Sequence, residues 1–163
     1  MTELVQHRII PPPPSSWASW EALMERALFL AEEAAGKGEI PVGALLVDGH
    51  GRILAESANA VESLTDATAH AEMQVLRKAF AASGNLRLEG SVLVATLEPC
   101  LMCAGALAHA RVSGLVYGAP DPRAGAVSSC LDGLDLPFLN HRVWHLGGIR
   151  EAECAQLLRS FFA

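Results

Sequence analysis

Two short stretches hold the residues best suited to chemistry. "HAE" sets His70 two positions before Glu72, and "PCLMC" sets Cys100 and Cys103 three apart. A spacing of three puts both sulfurs on one side of a first helical turn. There the helix N-terminus and a nearby metal favour thiolate over thiol. Two thiolates fill half of a tetrahedral zinc site, and no second C-x-x-C exists to complete a four-cysteine site. Histidine is the natural remaining ligand. Of the six, His7 lies in the N-terminal tail and His50 in a turn, and His109 sits too far along the cysteine helix. His141 and His145 flank the last predicted strand, and spacing alone leaves them open. His70 stands at the first turn of its own helix. If the two helices follow neighbouring strands, their N-termini meet at one sheet edge.

Three protein ligands leave one tetrahedral position open, which is the pattern of a catalytic zinc and not of a structural one. Such a metal lowers the pKa of bound water to about 7. The chemistry then needs a proton shuttle, and Glu72 is placed for it. On a regular helix His70 and Glu72 diverge by about 200°. That divergence separates ligand from shuttle. Cys130 and Cys154 are isolated and read as small core residues.

The elements that must position these groups follow from periodicity. "PPPP" at 11–14 ends a Pro-rich leader, residues 1–14, that is neither helix nor central strand. A single domain over 15–163 follows. Its first helix starts at Ser15 or Ser16 and shows an apolar face of Trp17, Trp20, Leu23, Met24, Ala27, Leu28, Ala31 and Ala34. Strands at 42–47 and 52–59 join through the turn "DGHG". A polar loop at 61–66 leads to "TAHAEM" and a helix to about Ala82. "SVLVATL" is a buried strand that turns directly into the cysteine helix. "SGLVYGA" is the next strand, followed by a Pro/Gly-rich loop with a short helix over about 120–140. "HRVWHL" is the last strand and "REAECAQLLRSFF" the closing helix. Alternating strands and helices predict a layered α/β sheet.

Bulk properties narrow the function classes. Half of the 163 residues are hydrophobic, and 18 acidic against 12 basic residues give a net charge of −6. That balance argues against general affinity for phosphate backbones, although a local basic rim can act within it. No apolar run nears the ~20 residues that span a bilayer. The N-terminus has no signal-peptide core, so the chain is read as cytoplasmic, with no membrane partner.

H-x-E followed by P-C-x-x-C is the signature of zinc nucleobase deaminases. Beyond it, "EIPVGALLV", "TAHAE", "TLEPCLMCAGAL", "GLVYGA", "NHRV" and "ECAQLLRSFF" resemble the bacterial tRNA-specific adenosine deaminases of the TadA type, within the cytidine/deoxycytidylate deaminase superfamily. The resemblance covers about 39–162. It implies a three-layer α/β/α cytidine-deaminase-like fold around a central five-stranded mixed sheet, working as a homodimer. It implies one Zn2+ per subunit on His70, Cys100 and Cys103, with Glu72 as proton shuttle. It implies adenosine-to-inosine conversion at the wobble position of a tRNA anticodon stem-loop. Asn59 matches the asparagine that contacts the flipped base, and Asp121 an aspartate that contacts the neighbouring nucleotide. The Ala71 and Cys100 N–H groups match those that steady the reacting group, and Phe161 and Phe162 match family aromatics, with Phe162 taken as substrate-binding. Pro120 stands where the family usually has a basic residue, and Ala67 where it often has proline. Arg123, Arg142, Arg150 and Arg159 are candidate phosphate contacts. Two alternatives use the same residues: a deaminase of free bases or nucleosides, and a non-catalytic zinc module docking through "PPPP".

Overall fold

Ser19 sets where the first helix begins. Its backbone is extended, and its hydroxyl accepts from the Ala22 N–H at 3.1 Å. Helix α1 therefore runs Trp20–Gly36, and the expected start at Ser15 or Ser16 is moved downstream. The structure is a computed structural model that describes residues 19–163. Trp17 and the Pro-rich leader lie outside the described residues.

Strands β1 (Gly43–Val47) and β2 (Ile53–Ala58) form the hairpin around "DGHG". Helix α2 (Val61–Leu64) is a single turn where a loop was expected. Helix α3 (Ala71–Ser83) ends at Gly84, whose φ of 65° suits a residue without a Cβ. Strand β3 (Val92–Leu97), helix α4 (Leu101–Ala110) and strand β4 (Gly114–Ala119) follow. Strand β5 (Trp144–Leu146) is shorter than 141–146, and helix α5 (Glu151–Phe162) closes the chain. No helix forms in 120–140, which runs in turns. The Asp121, Val127, Ser128 and Ser129 N–H groups there donate to the Glu98 carboxylate and so are not available for helical bonds.

The sheet order is β2-β1-β3-β4-β5, antiparallel across its first three strands and parallel across its last three. Alternate residues face opposite layers. Ala44, Leu46, Leu93, Ala95 and Leu115 pack with Val75, Leu76 and Ala79 of α3 and Leu107 of α4. Leu45, Val47, Val94 and Val116 pack with Leu23, Met24 and Ala27 of α1 and Cys154 of α5. The result is the expected three-layer α/β/α fold with a five-stranded mixed sheet. Gly43 is required where α1 crosses β1, because a Cβ there would lie 2.0 Å from the Ala27 carbonyl oxygen. No helix among the described residues is long and apolar enough to cross a membrane.

The register decides which chain ends share an edge. Gly43 pairs with Ala58, Ala44 with Ala95, and Leu97 with Ala119. The start of β1 and the ends of β2, β3 and β4 are thus brought together. The helices after β2 and β3 meet there as well, although β1 separates those two strands. Helix α3 lies across both β2 and β1 and reaches α4.

Candidate active site

Both ligand-bearing stretches sit at helix starts, one step earlier than regular periodicity implies. His70 and Cys100 are the N-cap residues of α3 and α4, with extended backbones and no side-chain capping bond. N-cap side chains commonly satisfy the helix's free N–H groups. These two instead turn to each other. His70 Nδ1 lies 3.6 Å from Cys100 Sγ and 3.6 Å from Cys103 Sγ, and all three ligand atoms fall within 4.8 Å of one another.

Those distances fit zinc. Ligands at Zn–N and Zn–S lengths of about 2.0 and 2.3 Å on tetrahedral corners stand about 3.5 Å apart. The protonation pattern agrees. The Cys103 thiol and the His70 ring together outweigh burial and hold Cys100 down at about 4. Pairing with Cys100, and then burial, pushes Cys103 far up. His70 is raised by its bond to Cys100. The three donors thus share protons that a divalent cation displaces on binding. His141 and His145 are excluded as ligands. The His141 ring donates to the Val112 carbonyl at 2.7 Å, and His145 pairs beside Leu115, both at the opposite end of β4.

Glu72 is 4 % exposed, and its Oε2 accepts from the Cys103 thiol at 3.6 Å. Burial raises its pKa above the usual carboxylate range. A buried carboxyl beside a metal site and drawn toward neutrality suits general acid–base work.

The cavity over these groups measures about 450 Å³ and is lined by His70, Glu72, Cys100, Asn59, Ala71 and Asp121 among others. Of the residues expected at the site, Cys103 and Phe162 do not line it; Cys103 is buried behind the wall, against His70 and Glu72. Phe161 lines the wall in place of Phe162, which is 68 % exposed, its ring edge-on to Phe161 at 5.2 Å. Adjacent residues of a helix face about 100° apart, so only one of the pair can turn inward.

Two buried glutamates at the site were not singled out from sequence. Glu39 accepts from Ser63 N–H and Oγ, Glu62 N–H and Asn59 Nδ2. Glu98 gathers the 121–129 segment that carries Asp121. Each abuts an apolar strand in "EIPVGALLV" or "TLEPC", and an acid against a buried strand is the signal that could have found them.

The family described as the cytidine and deoxycytidylate deaminase zinc-binding region matches residues 18–119, and the chain belongs to it. A tRNA-specific adenosine deaminase of Agrobacterium fabrum is 46 % identical over 139 residues, covering 85 % of this chain and 91 % of that one. A solved structure from a study of A-to-I editing by tRNA:A34 deaminases superposes with a TM-score of 0.81 at 44 % identity, covering 84 % of this chain and 99 % of its own. The guanine deaminase from Nitrosomonas europaea superposes at 0.72 with 26 % identity, covering 88 % and 85 %. The chain is a zinc-dependent deaminase.

Proposed function

We propose that this protein hydrolyses adenosine to inosine at the wobble position of a tRNA anticodon. The observation that carries the reading is the joined site, two thiols and an imidazole beside a buried glutamate, in a chain 46 % identical to a tRNA-specific adenosine deaminase across most of both lengths. The reaction adds water to the purine and releases ammonia. His70, Cys100 and Cys103 would hold a zinc ion, which would supply Lewis acidity and lower the pKa of water. Glu72 takes one proton from water on its carboxylate and delivers it to the ring nitrogen; it then takes the second from the added hydroxyl and delivers it to the amine as the C–N bond breaks and the carbonyl forms. The Ala71 N–H, left without a helical partner at the start of α3, is available to the reacting group, as is the Cys100 N–H. Asn59 contacts the base, Phe161 forms an apolar wall, and Asp121 contacts the neighbouring nucleotide. A base must leave its stack to enter, which a loop permits more readily than a duplex. The enzyme acts in the cytoplasm as a homodimer.

Likeness to a guanine deaminase supports a second reading, turnover of a free base in the same pocket. Inosine formation in a stem-loop RNA bearing a wobble adenosine, against ammonia release from guanine, cytosine or free adenosine, separates the two. Turnover of a free base far above that of the RNA favours the second.

A further inference from the structure

Glu39 is 2 % exposed, and burying a carboxylate is costly unless its oxygens are well bonded. One oxygen is fully used by Ser63, whose N–H and hydroxyl donate to Oε1 at 2.6 and 2.7 Å. The other, Oε2, accepts from the Glu62 N–H at 3.2 Å and from Asn59 Nδ2 at 3.4 Å. Helix α2 has no capping side chain of its own, since Ala60 holds its N-cap. A serine or aspartate at that position would cap it locally. A buried acid from 20 positions before Asn59 does something a local cap does not: it reaches the Asn59 amide.

A carboxylate only accepts, so it dictates which end of that amide faces it. Nδ2 turns to Glu39, and Oδ1 is left at the other end. No described protein group donates to Oδ1. Asn59 lines the cavity with His70, Ala71 and Glu72. Its backbone is held by the Asn59 N–H donating to the Val42 carbonyl at 2.9 Å. The side-chain amide is thus the part left to be oriented. The Glu39 contact is long for a bond to a charged group, and such bonds at active sites often tighten when substrate arrives.

We propose that Glu39 is a positioning residue that locks the Asn59 amide with Oδ1 presented as an acceptor to an N–H or O–H donor on the nucleoside. The proposal rests on the deaminase reading of the pocket. A glutamine at 39 offers both a donor and an acceptor, so either end of the Asn59 amide can face it. The amide then presents N–H groups to the substrate's donor for part of the time.

The test is a double-mutant cycle on the zinc-loaded full chain, with a stem-loop RNA bearing a wobble adenosine. Glu39→Gln lowers kcat/KM by roughly 10–100-fold with zinc content unchanged, the range expected for losing a hydrogen bond to a charged group. In an Asn59→Ala background the same change costs less than about twofold, because coupled residues are not additive. Ser63→Ala removes a bond to the other Glu39 oxygen and leaves kcat/KM within about twofold of the parent. Equal losses from Glu39→Gln in both backgrounds overturn the proposal. The second readout needs no turnover. The Asn59 side-chain amide signals in a ¹⁵N–¹H spectrum, assigned by their loss in Asn59→Ala, move in Glu39→Gln and stay in place in Ser63→Ala. Unmoved signals in Glu39→Gln overturn the positioning role. A parent protein that makes no inosine defeats the tRNA reading, while the spectrum still decides the role of Glu39.

Discussion

At the scale of single residues, the site depends on what two N-cap positions do not do. His70 and Cys100 leave the starts of α3 and α4 uncapped and meet Cys103 instead. Glu72, two positions into the motif, keeps its carboxyl 3.6 Å from Cys103 without being one of the three clustered donors. Ligand and proton carrier are thereby separate functions. Glu72→Ala is expected to keep zinc, measured by metal analysis, and to lose roughly 10²–10⁴-fold in turnover. Unchanged turnover removes Glu72 from the mechanism. Cys103→Ser is expected to lose zinc as well as activity. The ligand motif was legible in sequence because its parts are local. The sequence points to Phe162 where Phe161 lines the wall, because the rotation of α5 about its axis is set by packing on the sheet and not by either ring.

At the scale of elements, two buried glutamates hold the loops that frame the cavity. Glu98 is 2 % exposed. Burial pushes its pKa up, but the Ser129 hydroxyl and the Ser128, Ser129 and Val127 N–H groups outweigh that and hold it down at about 2, from 4.5. A lowered folded-state pKa stabilises above the unfolded value, and that stabilisation is lost as pH falls from about 4.5 toward 2. The window carries about 3 kcal/mol. Glu98→Gln is therefore expected to lower stability at neutral pH by up to that amount and to flatten its acid dependence over the same window, measured by urea titration across pH. Parallel pH profiles for both proteins would contradict this. The same long-range bonds explain what sequence periodicity did not reach. α2 is capped by Glu39 from more than 20 positions upstream, and the turns of 121–129 are gathered by Glu98. The insertion of β1 between β2 and β3 is likewise a non-local pairing, invisible to any window along the chain. Strand and helix types, by contrast, were carried by local apolar alternation, and most boundaries fall within a few residues. Zinc ties α3 to α4, so chelation is expected to lower the unfolding temperature of the parent and to leave that of Cys103→Ser nearly unchanged, read by calorimetry.

For the whole molecule, the proposed function asks how an acidic protein would hold RNA. Three of the four candidate arginines are engaged within the chain. Arg142 pairs with Asp135 at 3.0 Å, Arg150 with Glu153 and Glu25, and Arg159 donates to Gln156. The Arg123 guanidinium has no ion pair or hydrogen bond among the described residues. It stands two positions from Asp121 and next to Ala124, both in the cavity wall. Arg123→Ala is expected to weaken stem-loop binding uniformly across sequences and to reduce the slope of log affinity against log salt by about 1. An unchanged slope would place the phosphate contacts elsewhere. Exposed arginines already paired within the chain, such as Arg142, should matter less when changed.

The substrate is tested directly by one measurement. Zinc-loaded parent protein is incubated with a tRNA bearing a wobble adenosine, and the nucleosides are separated after digestion. Inosine is expected at that position from the parent, and roughly 10²–10⁴-fold more slowly from Glu72→Ala. Folded, zinc-loaded parent protein that leaves the wobble adenosine intact would contradict it.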